Sequence, residues 1–287
     1  MEETEFETRI AAALAVATES EAYAAVIDAV ADVGDRDVFD RALALLHDPH
    51  PRRREAGAYL VAEHGPSETR TVGDVELRVW DHPYPDEAAT ALLDLLGRET
   101  EAPVLVAIAY GFAGVRDPRA VAPLAALRDH PHQEVRFAAV RGLMTHEDPV
   151  AVAALIALSA DADSDVRDWA TFGLGAMIDT DTPEIRAALA ARLDDADDET
   201  REEGLFGLAA RGDERAIAPL ATMYADHEGA ALDEALCVLA AKTGDERLRE
   251  WVEWLWEETA ARDTPLDPVR DDADARLLAA ARRYGVG

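Results

Sequence analysis

An internal repeat constrains the fold of this chain more than any other feature of its sequence. The period of about 31 to 34 residues lies in the range typical of helical solenoids. Each copy contains a short helix A, an acidic turn, a helix B and a tight turn rich in glycine and aspartate. Successive copies begin at or near Asp35, Pro85, Asp117, Asp148, Thr182 and Asp213.

Apolar residues recur at helical spacing within helix B. Val135, Ala139 and Leu143 show the pattern in one copy, and each helix B therefore has one face to bury. Aromatic residues make up only 6% of the chain, which favours thin, closely packed helices. The repeat predicts an all-α fold, a right-handed α-solenoid of about seven helix pairs.

Glycine occupies the same place in successive B helices. Inside a helix it costs about 0.5–1 kcal/mol relative to alanine, so its recurrence needs a packing reason. We expect the backbone of a helix A to approach closely at these glycines. They are Gly111, Gly142, Gly173 and Gly207.

Departures from the repeat define the expected domain boundaries. Residues 35–245 form the array, residues 1–34 an N-terminal helical cap and residues 246–287 a C-terminal helical cap. Residues 66–86 interrupt the array, and alternating residues around Gly73-Asp74 predict a β-hairpin, with no strand outside 69–80. Trp80, His82 and Tyr84 follow within this insertion. Two roles fit these residues, contact with a partner and covering of a helix end.

The repeats resemble the HEAT-like repeats named for the phycobilisome lyases. The resemblance rests on the Asp-Pro-Arg-Ala-Val opening at Asp117 and on Val-Arg after the acidic turn, as at Val135-Arg136 and Val166-Arg167. It implies that the arginine of helix B belongs to an inter-repeat ladder of ion pairs. Such repeats occur in lyases, scaffolds and inhibitors alike, so the resemblance implies a fold and leaves the function open. The ladder positions are Arg54, Arg136, Arg167 and Arg201.

The chain is strongly acidic, with 59 acidic residues against 28 basic ones and a formal net charge of −31. This charge repels phosphate backbones, so we expect no nucleic-acid partner. An acidic surface would attract a protein partner with a basic surface, or the charge could serve solubility alone. The acidic N-terminus and the lack of a long apolar run predict a cytoplasmic protein without membrane contact.

The sequence contains no recognisable catalytic, metal or cofactor motif. Deoxyhypusine hydroxylases, which have similar repeats, carry His-Glu pairs at the start of helix B, where this chain has none. His146-Glu147 and His227-Glu228 lie at non-equivalent positions. Asp161, Asp163 and Asp165 begin like a calcium loop, but the glycine and the final glutamate of such a loop are missing. We therefore expect no metal and no cofactor.

Turning helix B by 100° per residue places two columns of side chains opposite the apolar stripe, on the concave surface of the solenoid. An aromatic and acidic trough there would suit a basic or amphipathic protein segment; alternatively, the aromatic residues pack between adjacent B helices. The candidate residues are Tyr59, Tyr110, Phe137, Arg141, Asp168, Phe172, Glu202, Phe206 and Asp233.

Three functions fit these patterns. The first is a non-catalytic scaffold or regulator that binds a protein partner. The second is an immunity-type inhibitor of a basic toxin or nuclease, and the third is a bilin lyase-like enzyme. The oligomeric state stays open.

Overall fold

A computed structural model describes the chain except at residues 18–19, 66, 73–74, 81, 227–229, 261–271 and 287. For residues 66–81, 224–230 and 260 it describes at most the backbone and not the side chains. The described part contains sixteen α-helices that alternate between A and B positions. The A helices are α1 (Glu3–Leu14), α3 (Arg36–Leu45), α5 (Pro85–Leu96), α7 (Val121–Ala125), α9 (Pro149–Leu158), α11 (Pro183–Arg192), α13 (Ile217–Asp226) and α15 (Arg249–Ala260). The B helices are α2 (Glu21–Ala31), α4 (Pro51–Ala62), α6 (Ala102–Val115), α8 (Gln133–Leu143), α10 (Ser164–Phe172), α12 (Asp198–Ala210), α14 (Ala230–Thr243) and α16 (Asp272–Tyr284).

The acidic turns of the repeat are helix caps. The Asp163 side chain accepts a hydrogen bond from the Val166 amide at 3.2 Å, and Asp197 accepts one from the Thr200 amide at 2.9 Å. Each therefore satisfies one of the amides that a helix leaves unpaired at its first turn. The preceding Asp161 accepts from the amide of Asp163 at 2.9 Å, so this calcium-like run shapes a turn.

Several A helices begin with an Asp-x-Arg motif. Asp117 accepts from the amide of Arg119 at 2.8 Å and pairs with its guanidinium, which produces a 3-10 turn before α7. Asp213 with Arg215 does the same before α13, and Asp245 with Arg247 before α15. The α15–α16 pair thus starts with the same local geometry as pairs within the array.

The chain divides into two compact units, Met1–Ala154 and Leu155–Gly287. In the first unit each A helix from α1 to α7 packs on the B helix that follows it, and α2, α4, α6 and α8 pack side by side. In the second unit α10, α12, α14 and α16 form the corresponding layer, with α11, α13 and α15 against it. The buried residues are mainly alanine, leucine, valine and isoleucine, as the helical periodicity predicts. The predicted all-α repeat fold is confirmed.

The recurrent glycines touch a different neighbour from the one predicted. A Cβ on Gly142 would lie 2.9 Å from the Ala109 carbonyl oxygen of the preceding B helix, and 2.9 Å from the Leu124 side chain of α7. At Gly207 it would lie 2.8 Å from the Gly175 Cα. The expectation of a helix A backbone is therefore wrong at Gly142 and Gly207. The close contact is between successive B helices, and at Gly111 a Cβ would likewise lie 2.7 Å from the Ala62 Cβ of the preceding B helix.

The backbone of helix A approaches helix B one turn earlier. A Cβ on Gly204 would lie 2.9 Å from the Leu189 carbonyl oxygen, and one on Gly57 would lie 3.2 Å from the Ala42 carbonyl oxygen. Two small positions in helix B thus admit two different neighbours.

The arginine ladder is confirmed at Arg54 and Arg167. Arg54 binds Glu99 of the next copy through two hydrogen bonds of 2.7 and 3.0 Å, and Arg167 binds Asp195 at 3.1 and 2.9 Å. The remaining terminal nitrogen reaches back to a turn carbonyl, that of Asp48 in one case and Asp161 in the other. Each arginine therefore joins the turns of two successive copies.

The predicted hairpin is confirmed between α4 and α5. Strand β1 (Ser67–Val72) pairs antiparallel with β2 (Val75–Trp80), from Ser67 opposite Trp80 to Val72 opposite Val75. Pairing begins at Ser67, two residues before the predicted start. Alternation of apolar and polar residues thus identified the hairpin. It did not identify the first two residues of β1, because both are polar and do not alternate with apolar ones.

Candidate functional site

The candidate residues of the first unit lie on adjacent B helices and are half-buried. Tyr110 of α6 and Phe137 of α8 have ring centroids 6.4 Å apart, and Tyr59 of α4 lies 6.3 Å from the ring of Tyr23. Burial lowers the pKa of Arg141 and raises that of Tyr110, and the two groups interact electrostatically. Each of these ring contacts joins two neighbouring B helices.

The candidate residues of the second unit are only partly brought together. Phe172 of α10 and Phe206 of α12 line one cavity of about 620 Å³, together with residues of α14. Asp168, Glu202 and Asp233 are not among its lining residues; Glu202 is exposed, and the other two are half-buried. Side chains that the helical wheel did not select also line the cavity, namely Ile178, Asp179, Asp181, Glu203, Arg211, Glu234, Val238 and Lys242.

One turn of π-helix over Gly173–Met177, called the π-turn below, follows α10 and forms one side of this cavity. The nearly buried Arg211 side chain holds its carbonyls, donating to the oxygens of Leu174 at 2.6 Å and Gly175 at 2.8 Å. Burial lowers the pKa of Arg211. Gly175 packs against the Gly207 backbone of α12, so no side chain separates the turn from that helix. Arg211 thus satisfies carbonyls of the π-turn at the C-terminal end of α10, where no further helical turn can pair with them.

The electrostatics of the cavity centre on Glu203, which lies one turn before Phe206. Burial, reinforced by the charge of Asp168, raises the pKa of Glu203 to about 7. Burial and Glu199 raise that of Asp168 to about 6, and the Asp168 Oδ1 has no hydrogen-bond partner. Within the described residues, neither carboxylate pairs with an arginine or lysine. In this half-buried place the charge of Asp168 therefore disfavours the charged form of Glu203.

Sequence reasoning missed Glu203 because it selected positions opposite the apolar stripe. The available signal was the spacing of three between Glu203 and Phe206, which puts both on one helix face. Arg211 had no comparable signal, since its partners are carbonyls of another repeat.

The insertion candidates His82 and Tyr84 are half-buried at the base of the hairpin. The His82 Nε2 donates to the Val61 carbonyl oxygen at 2.7 Å, and its Nδ1 accepts from the Tyr84 amide at 3.0 Å. Phe39 lies 5.8 Å from the His82 ring and 4.8 Å from the Tyr84 ring. Trp80 ends β2, but its side chain lies outside the described residues. The partner role of these three residues stays a hypothesis.

No metal centre can be assembled from the described residues, since no three histidine, cysteine or acidic side chains there lie close enough together. His227-Glu228 lies outside the described residues. None of the described helices is both long and apolar enough to cross a membrane. Cys237 is buried in α14, which raises the pKa of its thiol to about 12.

Stacked A and B helices with a continuous layer of B helices in each unit define an α-solenoid repeat protein. The chain belongs to the HEAT-repeat family, whose model, described as HEAT repeats, matches residues 89–175 and 153–241. A comparison with curated proteins finds no match.

Solved structures share the fold at low sequence identity. The Escherichia coli protein YibA is 17% identical, with 100% of this chain and 93% of YibA covered and a TM-score of 0.70. An engineered protein is 19% identical over 98% of this chain and 82% of its own, with a TM-score of 0.52. The CpcE–CpcF complex of phycocyanin lyase from Nostoc is 20% identical, covers 78% of this chain and 83% of its own, and has a TM-score of 0.38. A TM-score this low shows neither a shared fold nor a shared function.

Proposed function

We propose that this protein is a non-catalytic interaction module that binds a basic segment of a partner protein. The observation that carries the proposal is the cavity between α10, α12 and α14, in which two half-buried phenylalanines stand beside carboxylates. HEAT repeats are built for such a role, because stacked helices present an extended surface made from many copies of one unit.

Charge and aromatic surface contribute differently to such a complex. The net charge of −31 draws a basic partner over long distances and speeds association, an effect that salt screens. Phe172 and Phe206 act after contact, since losing their desolvated rings mainly speeds dissociation. The two contributions are therefore separable by kinetics.

The test captures partners with the wild-type chain and measures their binding kinetics across a salt series. Lysine at Asp168, Glu202 and Asp233 should slow association and flatten its salt dependence. Phe172→Ala and Phe206→Ala should each speed dissociation by about 1–2 kcal/mol. Asp168, Glu202 and Asp233 lie on the three helices that form the cavity, although they are not among its lining residues. A control chain with lysine at the exposed Glu184, Glu214 and Glu250 carries the same charge change on other elements.

A supporting partner binds the wild type and keeps its dissociation rate with the control chain. It dissociates faster from the Phe172→Ala and Phe206→Ala variants and associates more slowly with the lysine variant of Asp168, Glu202 and Asp233. A partner whose kinetics ignore both salt and all five substitutions would contradict the proposal. The 66–86 insertion would then be the next surface to test.

A further inference from the structure

The cavity presents a carboxylate and two aromatic rings from neighbouring helices. Phe172 comes from α10, whereas Glu203 and Phe206 come from successive turns of α12 and face the same side. The volume of about 620 Å³ is within the range of sites that hold a ligand, and exceeds what one side chain fills. A bound segment would therefore place one side chain deep in the cavity and its neighbours at the rim.

The other charged groups of the lining are already engaged. Asp181 binds Arg186 at 2.6 Å, and Glu234 binds Arg276 at 3.1 Å. Arg211 donates to the carbonyl oxygens of the π-turn, and the Lys242 ammonium donates to the Ala210 carbonyl oxygen. Glu203 has no cation among the described residues, although it is half-buried and repelled by Asp168. Glu203 thus offers a carboxyl group next to the rings, and a cation paired with it would favour the ionised form.

Resting on the proposed function, we infer that this cavity receives an arginine side chain of the partner, stacked against Phe172 and Phe206 and paired with Glu203. Arginine fits better than lysine because its planar guanidinium can stack on a ring and still direct two N–H groups at one carboxylate. It is also more weakly hydrated than an ammonium, so entry into a half-buried site costs less.

The experiment uses the full chain and short fluorescein-labelled peptides in which arginine alternates with serine. Matched peptides carry lysine, or the neutral isostere citrulline, in place of arginine. Fluorescence anisotropy at moderate salt should give a Kd about fivefold lower for the arginine peptide than for the lysine peptide, with citrulline the weakest.

Glu203→Gln and Phe206→Leu should each reduce this preference for arginine, because the first removes the charge and the second keeps apolar volume but removes the ring. Glu184→Gln removes one exposed charge from α11, away from the cavity lining, and should keep the preference. Circular dichroism of each variant checks that it is folded.

The outcomes separate this inference from the proposed function. If arginine and lysine peptides bind equally well, or if Glu203→Gln and Glu184→Gln act alike, the arginine site is overturned while binding of a basic segment stands. If neither basic peptide binds even at low salt, both fail. An arginine preference lost only in the cavity variants supports both.

Discussion

Small residues at two positions of helix B determine how closely its neighbours approach. The first, represented by Gly57 and Gly204, meets the backbone of helix A, and the second, represented by Gly142 and Gly207, meets the preceding B helix. A repeat protein needs both contacts in every copy, because each helix pair buries its apolar face only against the next. The cost of glycine within a helix is offset by this close packing.

Replacing Gly142 with leucine should lower the free energy of unfolding by about 1–3 kcal/mol, since the new side chain has no space. Its Cβ alone would lie 2.9 Å from a backbone oxygen. Thermal and urea unfolding measure the effect. Gly97→Leu is the matched control, because a Cβ there would lie no closer than 3.5 Å to any neighbour. Equal stability of the two variants would refute the packing argument.

At the scale of elements, the β-hairpin is fastened to the array by a cluster of rings at its base, Phe39, His64, His82 and Tyr84. His64 is fully buried, so its charged form would be poorly solvated. Burial lowers the pKa of both histidines, and in His64 the neighbouring His82 adds to the effect. The hydrogen bonds of His82 likewise match its neutral form, with Nε2 donating and Nδ1 accepting.

Acid should weaken this anchor. Because both folded pKa values lie below the ordinary value of about 6.5, the unfolded chain takes up protons first as pH falls. The stability from the neutral cluster is thus complete above that pH and is lost progressively below it. Urea unfolding near pH 7.5 and pH 5.5, compared between wild type and His64→Phe, should show a smaller loss in the variant.

His50→Gln is the control for this comparison, since His50 is exposed and its side chain caps no helix. It should lose as much stability in acid as the wild type. An unchanged acid loss in His64→Phe would show that the cluster does not respond to pH in this range.

At the scale of the whole molecule, the net charge of −31 opposes the compact state through self-repulsion. Many arginines are used to offset it locally, as in the Arg54–Glu99 and Arg167–Asp195 pairs. The basic residues are too few to pair with every carboxylate, since the chain has 59 acidic residues and 28 basic ones.

Salt should therefore stabilise the fold. Raising sodium chloride from about 0.01 M to 1 M shortens the screening length from about 30 Å to 3 Å and should raise Tm by several degrees. Sucrose at matched osmolality controls for exclusion of solute from the surface, which stabilises without screening. A Tm that is flat or falling with salt would show that self-repulsion is not a significant term.

The sequence by itself determined the elements and their buried faces. Repeat period, apolar spacing and the Val-Arg signature are local patterns. The helices, the hairpin and the arginine ladder follow from these patterns, because each of them depends on neighbours along the chain or on the next copy.

The tertiary structure decided which side chains meet. Phe172 and Phe206 line one cavity with Glu203, whereas Glu202 and Asp233 do not. A helical wheel gives the direction of a side chain from its own axis, but the meeting point also depends on how adjacent helices pack and on the π-turn after α10, which shifts the residues that follow it.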